Sequence, residues 1–402
     1  MNKSTKLIKD FSTNIIGSLL LVGCLQLLIY PYLARSNDPI TYGTILALMG
    51  SLNIIVATLG NTLNNIRMIS NAEYKKQGVQ GDFKIILFGA LIAGIVILLA
   101  VNRFLFVMHY VTNIILIATL IIALCRSYFS VEYRLFLNFN MSMICNVVIA
   151  LGYVIGILIV HVTKLWPLAF LIGELSGFIF IFFTTDIMKE AVGKTILWKR
   201  TLSQYNTLIV SGLIGSLIVY LDRLILFPTL GGDAVATFSV ASFFGKSLGL
   251  LFTPIAGVLL SYYSQLHFQM TRRLFWQINL FVLILSVIFY VITYFAAPWF
   301  TGLLYPTLID RASPYIMLAN LGAILAVASS MTQPAILRFS PMWLQIVVQV
   351  VYGSIYLFGG VILLKYYSIT GFCVASIIAN VIRLLILYWV GDRDISLRYT
   401  TA

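Results

Sequence analysis

Apolar residues dominate the chain in long runs that are interrupted by polar, Pro or Gly positions. Each run has about 20 residues, which is the length that an α-helix needs to cross a hydrocarbon core of about 30 Å. The runs lack the alternation of barrel strands, and a backbone in lipid must satisfy its own hydrogen bonds, so the pattern predicts helices. We place the spans at 11–34, 40–62, 84–102, 110–127, 141–162, 165–185, 203–226, 234–262, 274–297, 314–333, 341–364 and 369–391. The sequence predicts an all-α, polytopic membrane protein with about twelve transmembrane helices.

Composition supports this interpretation. The chain has 402 residues, of which 60% are hydrophobic and 10% charged, and its mean hydropathy is +0.99, which a water-soluble domain of this size would not tolerate. The first run is longer than a signal-peptide core and has no small-residue cleavage site after it, so we expect a retained first span. The cysteines are Cys24, Cys125, Cys145 and Cys373. They are scattered singly, which favours small apolar fillers over a disulfide or zinc site.

The positions of Lys and Arg predict the orientation. Of the 26 Lys and Arg residues, 18 fall in connections or tails on one side of the predicted spans and 5 on the other. Positive residues concentrate on the cytoplasmic side, so we expect both termini to be cytoplasmic. This topology accounts for much of the net charge of +13. A nucleic-acid partner is not expected, because no soluble domain offers a basic face.

The connections between spans are short. The charged segment 186–201 divides the spans into two sets of six, so we expect an N-terminal six-helix lobe at 1–185, a cytoplasmic linker at 186–201 and a C-terminal six-helix lobe at 202–402. The longest connections have only about 20 residues, too few for a catalytic domain outside the membrane. We therefore expect a protein that is not an enzyme.

Lys246 is the first candidate site residue because it lies inside an apolar run. An ionised side chain at the bilayer centre costs about 2.5–3.5 kcal/mol, so such residues usually face a cavity or the protein interior. Lys246 lies near the midplane of the eighth span, either in an aqueous cavity or as a structural cation paired with Glu174. Gly249, Pro254 and Gly257 follow it. They can break the helix beside a substrate site, or kink it only for packing.

Two further positions combine charge with a predicted span. Asp222 and Arg223 lie near the outer end of the seventh span, and adjacent residues on a helix point about 100° apart, so we expect no simple pair between them. Structural pairing and substrate contact are both open for these two. Glu174 lies in the sixth span between Gly173 and Gly177, which permit close helix packing. A carboxyl group at that depth suits proton coupling, and a helix-packing ion pair is the alternative.

Three more cations complete the set. Arg383 lies deep in the twelfth span, whereas Arg67 and Arg126 lie at cytoplasmic ends of spans, where ordinary positive-inside anchoring is the alternative to a cavity role.

The histidines are His109, His161 and His267. Because they are separated and lie at span ends, we expect no metal site. We expect no cofactor, with H⁺ or Na⁺ as candidate coupling ions.

Four stretches of this sequence carry a family likeness. They are Tyr30-Pro31-Tyr32-Leu33-Ala34-Arg35 followed by Tyr42-Gly43, Leu59-Gly60 with Arg67, Leu221-Asp222-Arg223, and residues 233–241. Together with the twelve-span layout they resemble the polysaccharide-transporter branch of the multidrug/oligosaccharidyl-lipid/polysaccharide (MOP) exporter superfamily, the O-antigen or capsule repeat-unit flippases. The chain departs from that pattern at Ser36-Asn37-Asp38-Pro39 and at Phe227-Pro228-Thr229-Leu230. The family more often has a Leu-Gly step there.

The resemblance implies two six-helix lobes around a central cavity, and alternating access. It also implies an undecaprenyl-diphosphate-linked oligosaccharide that moves from the cytoplasmic to the outer leaflet of a bacterial inner (plasma) membrane. A polysaccharide polymerase and a chain-length regulator are candidate partners. Away from the span ends, Arg223, Lys246 and Arg383 stand against Glu174 and Asp222, a net charge of +1, which suits a diphosphate. We expect Lys246 and Arg223 to hold the diphosphate or acidic sugars, Arg383 and Arg67 to assist, and Asp222 or Glu174 to couple transport.

Three other interpretations stay open. A multidrug/cation antiporter of the related MATE branch would need an acidic cavity, and only two carboxylates lie inside the predicted spans. An integral-membrane glycan polymerase or glycosyltransferase would need sizeable loops with catalytic clusters, which this chain lacks. A non-transporting scaffold is the third.

Overall fold

The computed structural model describes residues 3–106, 108–263 and 269–400. Throughout these ranges the chain forms helices joined by short turns, without a strand. Eleven helical segments of the described residues are long and apolar enough to cross a membrane. The predicted fold class, an all-α polytopic membrane protein, is confirmed.

The chain forms two compact units. The first contains the residues up to Ser36 together with Thr44–Leu224, and the second contains Asn37–Gly43 and the residues from Ile225 onward. The helices that lie mainly in the first unit are α1 (Lys3–Cys24), α2 (Tyr30–Ser36), α3 (Pro39–Ile55), α4 (Thr62–Gln77), α5 (Asp82–Leu105), α6 (Tyr110–Phe129), α7 (Val131–Leu135), α8 (Phe139–Thr163), α9 (Pro167–Thr184) and α10 (Trp198–Val219). Those of the second unit are α11 (Leu221–Ala241), α12 (Phe243–Tyr263), α13 (Arg272–Leu304), α14 (Ile309–Ala312), α15 (Ile316–Phe339) and α16 (Met342–Thr400).

Two π-helical segments interrupt the first unit's opening helices. Leu25–Ile29 joins α1 to α2, and Val56–Asn61 joins α3 to α4. A π-helical turn widens the helix by one residue and changes the direction of the side chains that follow, and such turns are frequent at functional sites. Both segments lie beside the buried polar cluster described below.

Helix α16 contains two of the predicted spans. Its backbone leaves the helical conformation at Ser368, where φ is 53°, inside the predicted gap 365–368. A Cβ added to Gly371 would lie 2.0 Å from the Leu363 carbonyl oxygen, and one added to Gly359 would lie 3.9 Å from the Ala375 Cβ. Since the second pair is further from Ser368 on both sides, the two halves form an antiparallel hairpin.

A similar break divides the seventh predicted span from the eighth. Helix α11 leaves the helical conformation at Gly231, with φ 79°, a value that glycine adopts without steric cost. The residues before this break extend α10 beyond Tyr220, and those after it lead through Ser242 into α12. The turn between the two spans therefore depends on Gly231, because glycine adopts a positive φ as readily as a negative one.

The segment 186–197, which we call the strap, is attached to the first unit. Thr195 N donates to the Asp82 carboxylate at 2.7 Å, Lys84 Nζ donates to the Met188 carbonyl oxygen at 2.7 Å, and Ile187 N donates to Glu132 at 2.7 Å. We expected a linker between lobes at 186–201, but the strap is fixed by side chains of α5 and α7.

The first compact unit extends beyond the segment 186–201 as far as Leu224. The reason is that α10 is bonded to the π-helical segment of the first unit. The hydroxyl of Tyr205 donates to the Leu59 carbonyl oxygen at 3.0 Å, and the hydroxyls of Thr58 and Ser216 lie 3.4 Å apart. The seventh span thus packs with the first six, and the division into two lobes of six spans stays a prediction.

Candidate functional site

Glu174 is at the centre of a buried polar cluster in the first unit. Its carboxylate accepts hydrogen bonds from Nε and Nη2 of Arg126 on α6, the second at 3.3 Å, and from the Tyr153 hydroxyl on α8 at 2.8 Å. The side chains of Arg126 and Glu174 are 22% and 10% exposed. The structure therefore pairs Glu174 with Arg126, and not with Lys246 as in our structural alternative.

The sequence around Glu174 explains how three helices can meet there. Pro167, which needs no hydrogen bond for its nitrogen, begins α9. A Cβ added to Gly173 would lie 2.0 Å from a Tyr153 ring carbon, and one added to Gly177 would lie 3.0 Å from the Arg126 Cδ. Because both positions lack a side chain, Tyr153 and Arg126 come close enough to reach the carboxylate.

A small cavity of about 50 Å³ lies against this cluster within the first unit. Its polar lining consists of Tyr30, Asn53, Thr119, Arg126, Tyr153 and Glu174. Leu25 and Val56, the first residues of the two π-helical segments, also line it. Since one water needs about 10–15 Å³ of such volume, the cavity can hold a few waters or one small cation.

This arrangement can link a proton to a side-chain movement. The charged Glu174 carboxylate holds the Arg126 guanidinium, and protonation of Glu174 would remove the charge that compensates Arg126 in a nearly closed environment. Leaving one partner of a buried ion pair uncompensated costs about 3–5 kcal/mol, so a protonated Glu174 favours a different position of Arg126.

Arg223 and Asp222 lie at the start of α11. Arg223 Nη1 donates to the Leu46 carbonyl oxygen at 2.9 Å, and its guanidinium lies 5.3 Å from the centre of the Tyr220 ring. It also interacts with Tyr30, which lines the cavity of the Glu174 cluster. Asp222 is buried and accepts from the Arg223 backbone N at 2.9 Å, so it stabilises the helix start. Arg223 thus reaches the same part of the first unit as Glu174.

Lys246 lies on α12 in the second unit, and its side chain is exposed. Its Nζ lies 4.9 Å from the centre of the Phe238 ring. A cation over an aromatic face gains about 0.5–2 kcal/mol, more when it is removed from water. The ring therefore helps to hold the charge beside α11.

A helix break precedes Lys246, and Asn320 of α15 stabilises it. Asn320 Nδ2 donates to the Ala241 carbonyl oxygen at 2.8 Å, while Gly245 N donates to Asn320 Oδ1 at 2.6 Å. The amide therefore replaces the helical bond that would join Gly245 to Ala241. A side chain inserted into the hydrogen-bond ladder bends a helix, and here it does so one residue before Lys246.

Arg383 occupies the second half of α16. Its Nη2 donates to Gln333 Oε1 at 3.0 Å, and its guanidinium lies 4.8 Å from the centre of the Tyr352 ring. Arg383, which we predicted to lie deep in a span, is therefore half-buried and contacts the amide of Gln333 and the face of the Tyr352 ring.

A series of buried rings, which we call the ring series, connects Lys246 with Arg383. Its members are Phe238, Phe372, Tyr356 and Tyr352. Successive ring centres are 5.0, 5.5 and 5.9 Å apart, within the range of favourable aromatic pairs. The two cations predicted in the second unit thus lie at opposite ends of one rigid aromatic arrangement.

Arg67 is located elsewhere, in the first half of α4, where it contacts the strap. It is 5% exposed, forms an ion pair with Glu190 of the strap, and lies 4.7 Å from the centre of the Phe83 ring. Of the residues predicted for one site, Glu174 and Arg223 share one part of the first unit, Lys246 and Arg383 share the ring series, and Arg67 contacts neither group.

Sequence reasoning missed several functional candidates. Arg126 was treated mainly as an anchor, and Tyr153 and Asn320 were not considered. An arginine inside an apolar run and a small-residue pattern around Glu174 were signals for the Arg126 pair, whereas nothing in the sequence indicates that Asn320 faces the break. Among the residues that the structure describes, no group of three or more His, Cys, Asp or Glu could hold a metal ion.

Comparison with solved structures identifies the fold. The chain is similar to an inward-facing multidrug-resistance MATE family transporter of the MOP superfamily, with a TM-score of 0.69 and 13% identity over 97% of this chain and 96% of that one. A variant of the Vibrio cholerae MATE transporter VcmN gives a TM-score of 0.62 at 13% identity over 99% of both chains. A MOP superfamily transporter from Pyrococcus furiosus gives 0.63 at 14% identity over 96% of both chains.

These likenesses show that the chain has the fold of the MATE and related MOP transporters. Its eleven membrane-length helical segments, counted among the described residues, fit a multi-pass membrane protein. The solved structures that it resembles are described as transporters rather than enzymes. No protein-family model matches the sequence. No curated protein matches it either.

Proposed function

We propose that the protein is a flippase that moves an undecaprenyl-diphosphate-linked oligosaccharide from the cytoplasmic to the outer leaflet by alternating access, for the synthesis of O-antigen, capsule or exopolysaccharide. Lys246 and Arg223 contact the diphosphate or acidic sugars, and Arg383 assists. Arg67, which is paired with Glu190 of the strap, also assists in holding the cargo. The lipid tail stays in the bilayer, and a polymerase and a chain-length regulator act on the product.

One observation carries this proposal: the membrane-embedded charge of the second unit is positive. Lys246 and Arg383 lie at the ends of the ring series, and the sequence contains no Asp or Glu between Asp233 and Asp310 or between Asp310 and Asp392. A positive region of low dielectric attracts a phosphorylated headgroup and repels a cationic drug. The similar Pyrococcus furiosus transporter is itself described as having a binding pocket of reverse polarity that suggests a different function.

The Glu174 cluster supplies a candidate coupling element. Proton exchange at Glu174 would alternately hold and release Arg126, and a linked movement of this kind can bias a transporter between two states. Asp222, which is buried at the start of α11, is the second candidate for this role. The cavity beside Glu174 has room for the water that would deliver a proton or for a Na⁺ ion.

A multidrug/cation antiporter is the second candidate function. It is favoured by the similarity to MATE transporters over nearly the whole chain and by the carboxylate of Glu174 in a closed cavity. It is disfavoured because that carboxylate is already bonded to Arg126.

Reconstitution in liposomes tests the proposal. The probe is a fluorescent short-chain polyprenyl-diphosphate disaccharide, whose movement between leaflets is followed by reduction of the fluorophore from outside. We expect transport by the wild type and at least about a tenfold lower initial rate for Lys246→Gln, equivalent to 1.4 kcal/mol of lost interaction with the cargo.

Lys365 provides the matched control, because it is an exposed lysine of the same unit next to the α16 turn. Lys365→Gln should transport the glycan at the wild-type rate. Equal glycan transport by Lys246→Gln would remove Lys246 from the cargo site. Transport of a cationic dye, but not of the glycan, by the wild type would favour the antiporter instead.

A further inference from the structure

An open pocket of about 580 Å³ lies where the strap meets the end of α4. It is lined by side chains of α4, α7, the turn after α4 and the strap itself. Those used below are Arg67, Lys75, Glu132, Asp186, Lys189 and Glu190. Its volume lies within the range of about 300–1,000 Å³ that is typical of small-molecule sites.

Arg67 has more hydrogen-bond donors than the protein satisfies. Its Nη2 is bonded to Glu190, but its buried Nε and Nη1 have no hydrogen-bond partner among the described residues. The hydroxyl of Tyr128, which is fully buried and interacts electrostatically with Arg67, also lacks one. An unsatisfied buried donor costs about 1–3 kcal/mol, so a group with several acceptor oxygens would gain free energy here.

The carboxylate of Glu190 is the protein's own partner for Arg67, and it accepts from only one of the Arg67 nitrogens. Burial raises the pKa of Glu190, and the opposing effects of Arg67 and Lys84 do not fully offset it. A carboxylate that is costly to keep charged is a weak competitor for a better anion. It also bonds only Nη2 of the guanidinium and leaves Nε and Nη1 without a hydrogen-bond partner among the described residues.

The remaining acidic side chains of the pocket are already bonded to the protein. Glu132 accepts from the backbone N of Asp186 and Ile187, and Asp186 is paired with Lys189 at 2.5 Å. Lys75, by contrast, lies 5.4 Å from the centre of the Phe136 ring at the pocket edge, where it adds a positive charge. An incoming anion therefore competes only with Glu190.

We propose that this pocket binds a phosphate-bearing group, which displaces Glu190 from Arg67 and makes a second contact with Lys75. An arginine fork matches phosphate oxygens in pairs, and a tetrahedral anion has enough acceptors for the Arg67 donors that Glu190 leaves unbonded. Displacement of Glu190 loosens one contact of the strap, so occupancy of the pocket and docking of the strap are linked. The inference concerns the first unit alone and does not depend on the cargo proposed above.

Binding of inorganic diphosphate to the purified full-length protein in detergent tests the site. We expect saturable binding by calorimetry, about tenfold tighter for Glu190→Gln, which removes the competing charge at constant size. Lys75→Gln should weaken binding by about threefold to tenfold. Arg67→Gln should abolish it.

Lys76 is the matched control, since it is the next lysine on the same helix and does not line the pocket. Lys76→Gln should bind diphosphate as the wild type does, which separates a local contact from the effect of net charge. If Arg67→Gln does not fold, the Glu190 and Lys75 variants still decide. Equal affinities for Lys75→Gln and Lys76→Gln, or no gain in Glu190→Gln, would overturn the proposal.

Two further binding experiments distinguish a soluble phosphate ligand from a lipid headgroup. Diphosphate binding that is unchanged in nanodiscs of phosphatidylcholine indicates a soluble phosphate ligand. Diphosphate binding that weakens as the phosphatidic acid content of the nanodiscs is raised indicates a lipid headgroup that competes for the pocket. Both results support the site, and absence of Glu190-dependent binding in every arm contradicts it.

Discussion

The Arg126 and Glu174 pair joins α6 to α9 through charges that water hardly reaches. Removing one partner leaves a buried charge without compensation, whereas removing both leaves a neutral site. We expect Glu174→Gln and Arg126→Gln each to lower the free energy of unfolding by about 3–5 kcal/mol. The double variant should lose clearly less than the sum of the two.

Equilibrium denaturation in detergent micelles gives the three values, and the coupling free energy follows from the double-mutant cycle. Tyr153→Phe removes one hydrogen bond to the same charged carboxylate but leaves the ion pair in place, and should cost about 1.5–3 kcal/mol. Additive losses for the Arg126 and Glu174 variants would mean that the two side chains are not coupled.

Sequence alone locates charges more easily than their partners. Glu174, Lys246 and Arg383 are conspicuous because each interrupts an apolar run, and the free-energy cost of a charge in lipid makes that a signal. The partner of Glu174 cannot be found in this way, because Arg126 is 48 residues away in sequence. Asn320 gives no signal at all, since buried asparagines often serve simply as glue between helices.

At the scale of the elements, breaks in helices are as informative as the helices themselves. The predicted gap at 365–368 contains the observed turn at Ser368, and the gap between the seventh and eighth spans contains the observed turn at Gly231. The π-helical segments and the break at Ser242 were not predicted, because their sequences remain apolar and compatible with an uninterrupted helix. Tertiary contacts, such as that of Asn320, decide these breaks.

Replacing Asn320 tests how the break before Lys246 is held. In Asn320→Leu, Gly245 N and the Ala241 carbonyl oxygen lose their side-chain partner, at a cost of about 1–3 kcal/mol for each group left unsatisfied. We expect faster hydrogen exchange of the Gly245 amide, measured by mass spectrometry of the intact protein in nanodiscs.

Asn380→Leu is the control for this experiment. Asn380 is also buried in the second unit, but its Nδ2 donates to Ser376 of its own helix. Exchange at Gly245 should not change in this variant. Unchanged exchange in Asn320→Leu as well would show that the helical bond to Ala241 re-forms without the asparagine.

Docking of the strap depends on Asp82, which is fully buried. Its carboxylate accepts from Thr195 N at 2.7 Å and from the Tyr74 hydroxyl at 2.6 Å. Asp82→Ala removes these bonds together with the one from the Thr195 hydroxyl. We therefore expect trypsin to cleave after Lys194 at least about tenfold faster, as a loss of about 1.4 kcal/mol of docking free energy would produce.

The rate of appearance of the two fragments on a gel measures strap release. Asp310→Ala is the control, because Asp310 is an exposed residue of α14 in the other compact unit. A strap that stays as resistant in Asp82→Ala as in the Asp310 variant would mean that the remaining contacts hold it without Asp82.

At the scale of the whole molecule, the hydrophobic pattern was sufficient for the fold class. An apolar run in a bilayer must satisfy its own backbone hydrogen bonds, so the all-α class and the approximate number of spans follow from run lengths and turns. The transporter fold was expected only from the family resemblance. The association of the seventh span with the first six could not be predicted in this way. It depends on α10 hydrogen bonds to Leu59 and Thr58 that no charge or periodicity indicates.

The sign of the charge at Lys246 should determine which cargo the molecule accepts. Lys246→Glu replaces a cation beside Phe238 by a carboxylate in a region of the sequence with no other acidic residue between Asp233 and Asp310. We expect loss of glycan transport beyond that of Lys246→Gln, because repulsion of the diphosphate is added to the lost attraction. We also expect uptake of a cationic dye that the wild type excludes.

Comparing the Gln and Glu variants in the same liposomes distinguishes an effect of the charge at position 246 from misfolding of the variant. A misfolded Lys246→Glu protein would transport neither molecule, whereas a change of selectivity requires an intact pathway and can be measured as a gain. Equal residual glycan rates for the Gln and Glu variants, with no dye uptake, would mean that the cargo never approaches Lys246. The positive charge of the second unit would then have a structural role, in which the ring series keeps two cations apart from lipid.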